Sequence, residues 1–129
     1  MDIIGTGLDA TEIDRVDAMI ARYGDRFVQR IFTDGEIAYC RRKRNSVESF
    51  AARFAAKEAG MKALGTGHTH GVLWKSVEVV RGAGGPPQLR FHDAALRRFQ
   101  MMGGTRTLLT LTHSGPLNLA LAHVLLIRD

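Results

Sequence analysis

Apolar and polar residues repeat with two different periods along this chain, and the change of period separates its first half from its second. A short strand is predicted at residues 3–9, followed by helical spacing, with a short helix over 33–42 and a long helix that begins at Ser46. Residues 77–81 and 89–91 instead alternate around a loop of glycines and prolines. This alternation predicts an antiparallel hairpin.

The end of the chain predicts a short amphipathic helix over 92–102 and a second hairpin over 105–113 and 117–127. The last strand is apolar on both faces, with Leu119, Leu121 and Leu125 on one face and Ala120, Ala122 and Val124 on the other. One layer of helices covers a single face, so contacts with other subunits are expected to cover the second. The sequence therefore predicts an α+β fold, a small single domain over 1–129 with an antiparallel sheet packed against the long helix and shorter helices.

The long helix carries the most informative polar pair of the chain, Glu58 and Lys62, one helical turn apart. They are expected at the rim of an apolar stripe, among alanines that leave room for a ligand. The stripe is predicted to consist of Phe50, Phe54, Met61 and Leu64. The helix ends in Gly65-Thr66-Gly67, where Gly65 is expected to cap it and free amides to face an anion. The alternative is an ordinary surface ion pair.

Two further polar residues stand at predicted strand ends. Asp9 lies at a predicted junction of strand and helix, where Thr11 and Asp14 resemble a capping pair that leaves Asp9 free for a ligand. The alternative is that Asp9 itself serves the turn or the cap. His113 ends a strand and is expected to lean toward the interior, either as a reactive group or as a packing residue.

Basic residues exceed acidic ones, giving 129 residues a net charge of +5 and a pI of about 10.0, which indicates an anionic partner. One cluster is Arg41-Arg42-Lys43-Arg44 together with Arg53, and a second set is spaced along the first helical region. That second set is Arg15, Arg22, Arg26 and Arg30, with Gly24 expected to break the helix. Both sets have the alternative reading of a solvated basic face.

Three segments in order resemble one known family over essentially the whole chain. They are GTGLDATEIDRV at 5–16, RFAAKEAGMKALGTG at 53–67 and LTHSGPLNLALAHV at 111–124. Together they resemble the holo-acyl-carrier-protein synthase family, the small 4′-phosphopantetheinyl transferases. The resemblance implies the α+β fold of the 4′-phosphopantetheinyl transferases. It also implies transfer of phosphopantetheine from coenzyme A to a serine of an acidic acyl carrier protein. The expected assembly is a homotrimer with active sites at the subunit interfaces.

The resemblance also implies roles for particular residues. Asp9 and Glu58 would hold Mg²⁺, Lys62 would contact the phosphate chain, and the base is either Glu58, acting through a metal-bound water, or His113. The implied catalytic residues are Glu58, Lys62 and His113. The implied coenzyme A contacts are Lys43, Arg44, Arg53, Lys62, Gly65, Thr66, Gly67 and His113. The implied carrier-docking residues are Arg15, Met19, Arg22, Arg26, Phe27 and Arg30.

Two rival functions fit the composition, a basic nucleic-acid-binding domain and a non-catalytic module that binds coenzyme A or a carrier protein. Nucleic acid is not the expected partner, because the aromatic residues are scattered and do not interleave with the basic ones. Pro86 stands where the family often has a basic residue, and His68 and His70 are interpreted as ordinary loop residues. One cysteine, no membrane-length apolar run and no signal peptide predict a cytoplasmic protein.

Overall fold

The computed structural model describes residues 1–129, which form five strands and five α-helices. In chain order these are β1 Asp2–Glu12, α1 Ile13–Tyr23, α2 Asp25–Ile31, α3 Asp34–Arg41, α4 Ser46–Leu64, a 3-10 helix Trp74–Ser76, β2 Val77–Arg81, β3 Pro87–Phe91, α5 Asp93–Met101, β4 Arg106–Ser114 and β5 Leu119–Arg128. An antiparallel sheet has the order β1-β5-β4, and β2 and β3 form a separate hairpin. The α+β prediction and both predicted hairpins are confirmed.

The first strand is longer than predicted, and the predicted start of the first helix is wrong. Thr11 does not cap α1, because it pairs with Ala120 of β5 inside the β1–β5 ladder. The backbone amide of Asp14 instead donates to Oδ1 of Asn118 at 2.8 Å. The turn before β5, in which Asn118 has a φ of 53°, therefore provides the hydrogen-bond acceptor for the first turn of α1. Because of this turn, β5 begins at Leu119 and not at residue 117 as predicted.

Helix α4 lies at the centre of the molecule and is buried on almost every side. Gly7 of β1 packs so closely that a Cβ there would lie 1.8 Å from the carbonyl oxygen of Ala59. A Cβ on Gly60 would lie 2.8 Å from Cγ1 of Val77 in the hairpin, which explains a glycine in the middle of this helix. The alanines of α4 are buried and allow β1 and β5 to pack closely against the helix. The prediction that these alanines leave room for a ligand is therefore wrong.

The predicted apolar stripe of α4 is correct at three of its positions and wrong at the fourth. Phe50, Met61 and Leu64 are buried, whereas Phe54 is partly exposed and stacks on Trp74 with ring centroids 4.9 Å apart. Phe54 therefore shares the open side of the helix with Glu58 and Lys62.

A buried ion pair between Glu36 of α3 and Lys57 of α4 connects these two helices. Sequence reasoning did not predict this pair. Nζ of Lys57 lies 2.7 Å from Oε1 of Glu36, and neither side chain is exposed. The ammonium also donates to the carbonyl oxygens of Trp74 and Val77, and Oε2 of Glu36 accepts from the amide of Val79. Because every partner is satisfied, the pair fixes α3 and the hairpin β2–β3 relative to α4.

The sheet has one covered face and one open face. Ala120, Ala122, Val124 and Leu126 of β5 are fully buried toward α4. We call the opposite side the open sheet face, which consists of Leu8 of β1, Leu108 of β4, and Leu119, Leu121, His123 and Leu125 of β5. Leu8 is 63% exposed and Leu108 is 47% exposed. Separately, none of the helices combines the length and apolar character that crossing a membrane requires.

Candidate active site

Asp9 lies inside β1, three residues before its end, and not at a strand-to-helix junction as predicted. The close packing of Gly7 on α4 brings the Asp9 carboxylate to Lys62, whose Nζ lies 3.1 Å from Oδ1. The same ammonium donates to the carbonyl oxygen of Leu8, and Oγ1 of Thr11 donates to Oδ2 of Asp9 at 2.8 Å. Thr11 therefore orients the carboxylate, although the sequence suggested that it would leave Asp9 free.

Glu58 precedes Lys62 by one turn of α4, a rise of about 6 Å, and 27% of its side chain is exposed. Its Oε1 lies 3.9 Å from Nε2 of His68, whose ring centroid is 4.4 Å from that of Trp74. The interpretation of His68 as an ordinary loop residue missed this placement, for which the sequence contains no local signal.

The candidate metal ligands near Lys62 are the carboxylates of Asp9, which contacts Lys62, and of Glu58, one turn earlier on α4. No three or more histidine, cysteine, aspartate or glutamate side chains anywhere in the chain form a cluster that could hold a metal ion. Two carboxylates on adjoining elements nevertheless match Mg²⁺, which usually takes one or two protein carboxylates and completes its shell with phosphate and water. The chemistry of Asp9 and Glu58 is therefore compatible with a magnesium ion whose remaining ligands are phosphate and water oxygens.

The loop after α4 does not supply the free amides that were predicted. Gly65 has the expected left-handed conformation, with a φ of 73°. The amide of Gly65 donates to the carbonyl oxygen of Lys62, and those of Thr66 and Gly67 both donate to the carbonyl oxygen of Met61. These amides satisfy the end of the helix, so the argument that they face an anion is wrong.

A cavity of about 410 Å³ joins Glu58 to the predicted carrier-docking residues. Arg15, Met19, Phe27 and Arg30 line it, and we call it the docking cavity. A neighbouring cavity is lined by Met19, Tyr23, Arg26, Phe27 and Arg30. Arg22 lines neither and lies over the ring of Tyr23 at 5.2 Å, because α1 ends at Tyr23 and Gly24 turns the chain, as predicted.

A third cavity, of about 410 Å³, is lined by the predicted nucleotide-binding residues. We call it the basic cavity, and its lining includes Tyr39, Lys43, Arg44, Arg53, Arg81 and His113. Sequence reasoning missed Tyr39 and Arg81, because their contacts with the other members join distant parts of the chain. Arg81 brings positive charge to the hairpin whose loop carries Pro86 in place of a basic residue.

His113 belongs to the basic cavity and lies on the same strand face as Leu109 and Leu111, as predicted. It does not lean into the interior, since 41% of its side chain is exposed and its Nδ1 lies 2.9 Å from Oε1 of Glu48. Within one chain, His113 and Glu58 line different cavities.

Comparisons with known proteins show that the sequence and the fold of this chain are similar to those of one family of enzymes. A sequence model described as the 4′-phosphopantetheinyl transferase superfamily matches residues 5–109. The holo-[acyl-carrier-protein] synthase of Solibacter usitatus (strain Ellin6076) is 51% identical over 124 residues, which are 96% of this chain and 98% of that protein.

Solved structures agree over almost the whole length. The holo-[acyl-carrier-protein] synthase of Neisseria meningitidis superposes with a TM-score of 0.88 at 28% identity, covering 98% of this chain and 100% of that one. The Bacillus anthracis holo-(acyl-carrier-protein) synthase, solved in complex with CoA (3′,5′-ADP), has a TM-score of 0.77 at 31% identity, covering 98% of both chains.

Proposed function

This chain belongs to the holo-[acyl-carrier-protein] synthase family of the 4′-phosphopantetheinyl transferase superfamily, and we propose that it transfers the 4′-phosphopantetheine group of coenzyme A to a serine of an apo acyl carrier protein. Two observations carry the proposal: Lys62 contacts Asp9 at 3.1 Å, and Glu58, one helical turn before Lys62 on α4, lines the docking cavity. The relative that was solved with CoA supports coenzyme A as the donor.

The reaction forms one bond and breaks one bond at the diphosphate of coenzyme A. The serine oxygen bonds to the phosphorus next to the pantetheine arm, the bond from that phosphorus to the bridging oxygen breaks, and adenosine 3′,5′-bisphosphate leaves. Because charge grows on phosphate oxygens, positive groups that are already in place lower the barrier. The side chain of Lys62 is 54% exposed while its ammonium contacts Asp9, so a diphosphate has access to it.

Glu58 lines the cavity that would receive the carrier serine, so we propose that its carboxylate takes up the serine proton, directly or through one water. His113 lies instead among the basic residues of the other cavity, which suits a phosphate contact. Lys43, Arg44 and Arg53 are proposed to contact the nucleotide phosphates there.

Mg²⁺ is proposed as the metal, held by Asp9 and Glu58. Bound there, it would neutralise charge on the diphosphate. Thr11 and Lys62 fix the Asp9 carboxylate next to α4, the helix that carries Glu58, which supports this proposal.

The docking cavity is proposed to receive an acidic carrier of fatty acid or polyketide synthesis. Its arginines would attract a negative helix, while Met19, 38% exposed, supplies an apolar contact.

A cytoplasmic location is proposed for the protein, since the single cysteine of the chain suits a reducing compartment.

A homotrimer with active sites at the subunit interfaces is proposed as the working form. The open sheet face groups several exposed or partly exposed leucines on one surface, which subunit contacts would cover. Glu58 and His113 line separate cavities within one chain, and an interface would let a diphosphate bound at Glu58 reach basic residues of a neighbouring subunit.

The deciding experiment mixes the protein with apo acyl carrier protein, coenzyme A and Mg²⁺ and weighs the carrier by mass spectrometry. A gain equal to phosphopantetheine on the serine is expected. Binding of coenzyme A or carrier without a mass gain would identify a non-catalytic module. Salt-sensitive binding of DNA or RNA without turnover would identify a nucleic-acid-binding domain.

A further inference from the structure

Arg53 is a buried cation that no carboxylate of the chain neutralises. The residue is 5% exposed, yet its guanidinium makes no ion pair and no hydrogen bond to another residue. No side-chain nitrogen of the chain is both fully buried and unpaired, so the guanidinium still reaches the basic cavity that it lines, where an anion can bind it.

The guanidinium of Arg53 packs against the aromatic ring of Tyr39. Cζ of Arg53 lies 4.1 Å from the ring centroid, and Nζ of Lys43 lies 4.7 Å from it. The Tyr39 hydroxyl oxygen accepts a hydrogen bond from Nη1 of Arg81 at 3.0 Å. One side chain thus touches three cations through its ring and its oxygen, and such contacts stabilise cations that have left water.

Tyr39 is itself held firmly. It lies near the end of α3, whose first turn has a capping box between Thr33 and Glu36. The buried Glu36–Lys57 pair fixes the same helix to α4, which carries Arg53. Burial alone would raise the pKa of the Tyr39 phenol, but the charges of Arg53 and Arg81 outweigh it and lower that pKa.

We propose that Tyr39 is a positioning residue that holds Arg53 and Arg81 ready for the 3′-phosphate of coenzyme A, so that the enzyme distinguishes coenzyme A from dephospho-coenzyme A. The inference rests on the proposed function for its donor. The ring orients Arg53 and Lys43, and the hydroxyl orients Arg81 from the hairpin. Tyr39 need not touch the reacting phosphorus, so its effect belongs to donor binding and not to the chemical step.

The test compares Tyr39→Phe and Tyr39→Leu with the unchanged protein, using coenzyme A and dephospho-coenzyme A as donors. Tyr39→Phe removes the bond to Arg81 and is expected to raise KM for coenzyme A about threefold. Tyr39→Leu also removes the ring and is expected to raise it about tenfold or more. For both variants, kcat and the KM for dephospho-coenzyme A stay unchanged. Equal KM increases for the two donors would overturn the proposal, since they would indicate general damage to the fold.

A double-mutant cycle isolates the Tyr39–Arg81 contact. Arg81→Gln is expected to weaken coenzyme A binding, and Tyr39→Phe added to it is expected to cause no further loss, because the shared hydrogen bond is already gone. Fully additive losses would contradict the positioning role of the hydroxyl. Tyr23→Phe, which changes a tyrosine outside the basic cavity, is the matched control and should leave the ratio of the two KM values unaltered.

Calorimetry with adenosine 3′,5′-bisphosphate and adenosine 5′-phosphate separates this inference from the proposed reaction. Tyr39→Leu should weaken binding of the bisphosphate about tenfold and leave the monophosphate unaffected. Selective loss in a protein that modifies no carrier would refute the proposed function and support the phosphate site. Normal bisphosphate binding by Tyr39→Leu would refute the positioning role of Tyr39 even if the protein modifies its carrier.

Discussion

Two lysines of α4, Lys57 and Lys62, have opposite environments. Lys57 is fully buried against Glu36, and burial lowers the pKa of its ammonium while the carboxylate of Glu36 opposes that effect. Lys62 is 54% exposed and contacts Asp9 where a ligand has access. The same side chain therefore stabilises the fold at one position and is available for a substrate at the other.

The buried pair predicts a large loss of stability when one partner is removed. Lys57→Met keeps most of the side-chain volume but leaves Glu36 without its counter-ion in the interior. Unfolding in urea should show a loss of about 3–5 kcal/mol. Lys75→Met, at an exposed lysine, is the matched control and should change stability by less than about 0.5 kcal/mol. Similar small effects for both variants would show that the pair contributes little.

The proposed metal ligands predict a loss of turnover without a loss of fold. Asp9→Asn and Glu58→Gln keep size and shape but remove the charge, so the rate should fall about 100-fold or more. Calorimetric titration should also show weaker Mg²⁺ binding in the presence of coenzyme A, a readout that does not depend on turnover. Asp2→Asn, at an exposed aspartate of the same strand, controls for loss of acidic charge. Wild-type Mg²⁺ affinity in both variants would exclude these carboxylates as ligands.

At this scale, the sequence predicted residues within short motifs and missed those whose role depends on distant neighbours. Asp9, Glu58 and Lys62 were proposed as site residues from short motifs that resemble a known family, and the structure shows the contact between Asp9 and Lys62. Tyr39 meets Arg81 across 42 positions, and no local pattern indicates that contact. The free amides of Thr66 and Gly67 were predicted wrongly because the sequence does not show which donors the end of a helix consumes.

Whole elements were predicted well where they form hairpins and less well where they pair at long range. The hairpin β2–β3 was correct because its alternation and its loop lie side by side in the sequence. The end of β1 was wrong because Thr11 and Glu12 pair with β5, more than a hundred residues later. A capping signal worth about 1 kcal/mol lost to ladder hydrogen bonds and buried contacts.

Close packing of the hairpin on α4 predicts the effect of alanine at Gly60. Alanine favours a helix by about 0.5–1 kcal/mol over glycine. At Gly60 the new methyl group would overlap Val77 and Leu89, so a net loss of about 1–3 kcal/mol is expected by urea unfolding. Gly35→Ala in α3 is the control, since its nearest neighbour would lie at 3.7 Å, and it should stabilise the protein slightly. Stabilisation by both variants would mean that the hairpin yields easily.

Helices α1 and α2 predict a graded response to charge reversal. Arg15 lines the docking cavity beside Glu58, whereas Arg22 lies over Tyr23 outside it. Arg15→Glu should raise KM for the carrier about tenfold and reduce its salt dependence, with KM for coenzyme A unchanged. Arg22→Glu, the matched comparison, should have a smaller effect. A larger effect at Arg22 would move the docking surface away from this cavity.

For the whole molecule, β5 serves two different surfaces. Its alanine, valine and leucine face completes the interior against α4, and its other face leaves Leu119, Leu121 and Leu125 partly exposed. The α+β fold was predictable from the order of helical and alternating segments along the chain, and the two apolar faces of the last strand predicted that both would be covered. That subunit contacts cover the open sheet face remains a prediction, which a measurement of the oligomeric state in solution can test.

Subunit assembly predicts that a charge on the open sheet face is disruptive. Leu121→Arg should convert a trimer into monomers in sedimentation experiments, because burying an unpaired arginine costs several kcal/mol at each interface. Activity should fall with it if the active sites lie between subunits. Met101→Arg, at a residue 81% exposed on α5, should leave both unchanged. Monomers in the unmodified protein would remove the trimer from the proposal.

Cys40, at the centre of the helical cluster, bears on how the protein withstands oxidants. Its side chain is fully buried, and burial raises the pKa of the thiol to about 12. Peroxide and electrophiles attack the ionised form of sulfur, which is scarce here at neutral pH. Peroxide in the cell is therefore expected to leave the thiol of Cys40 unmodified.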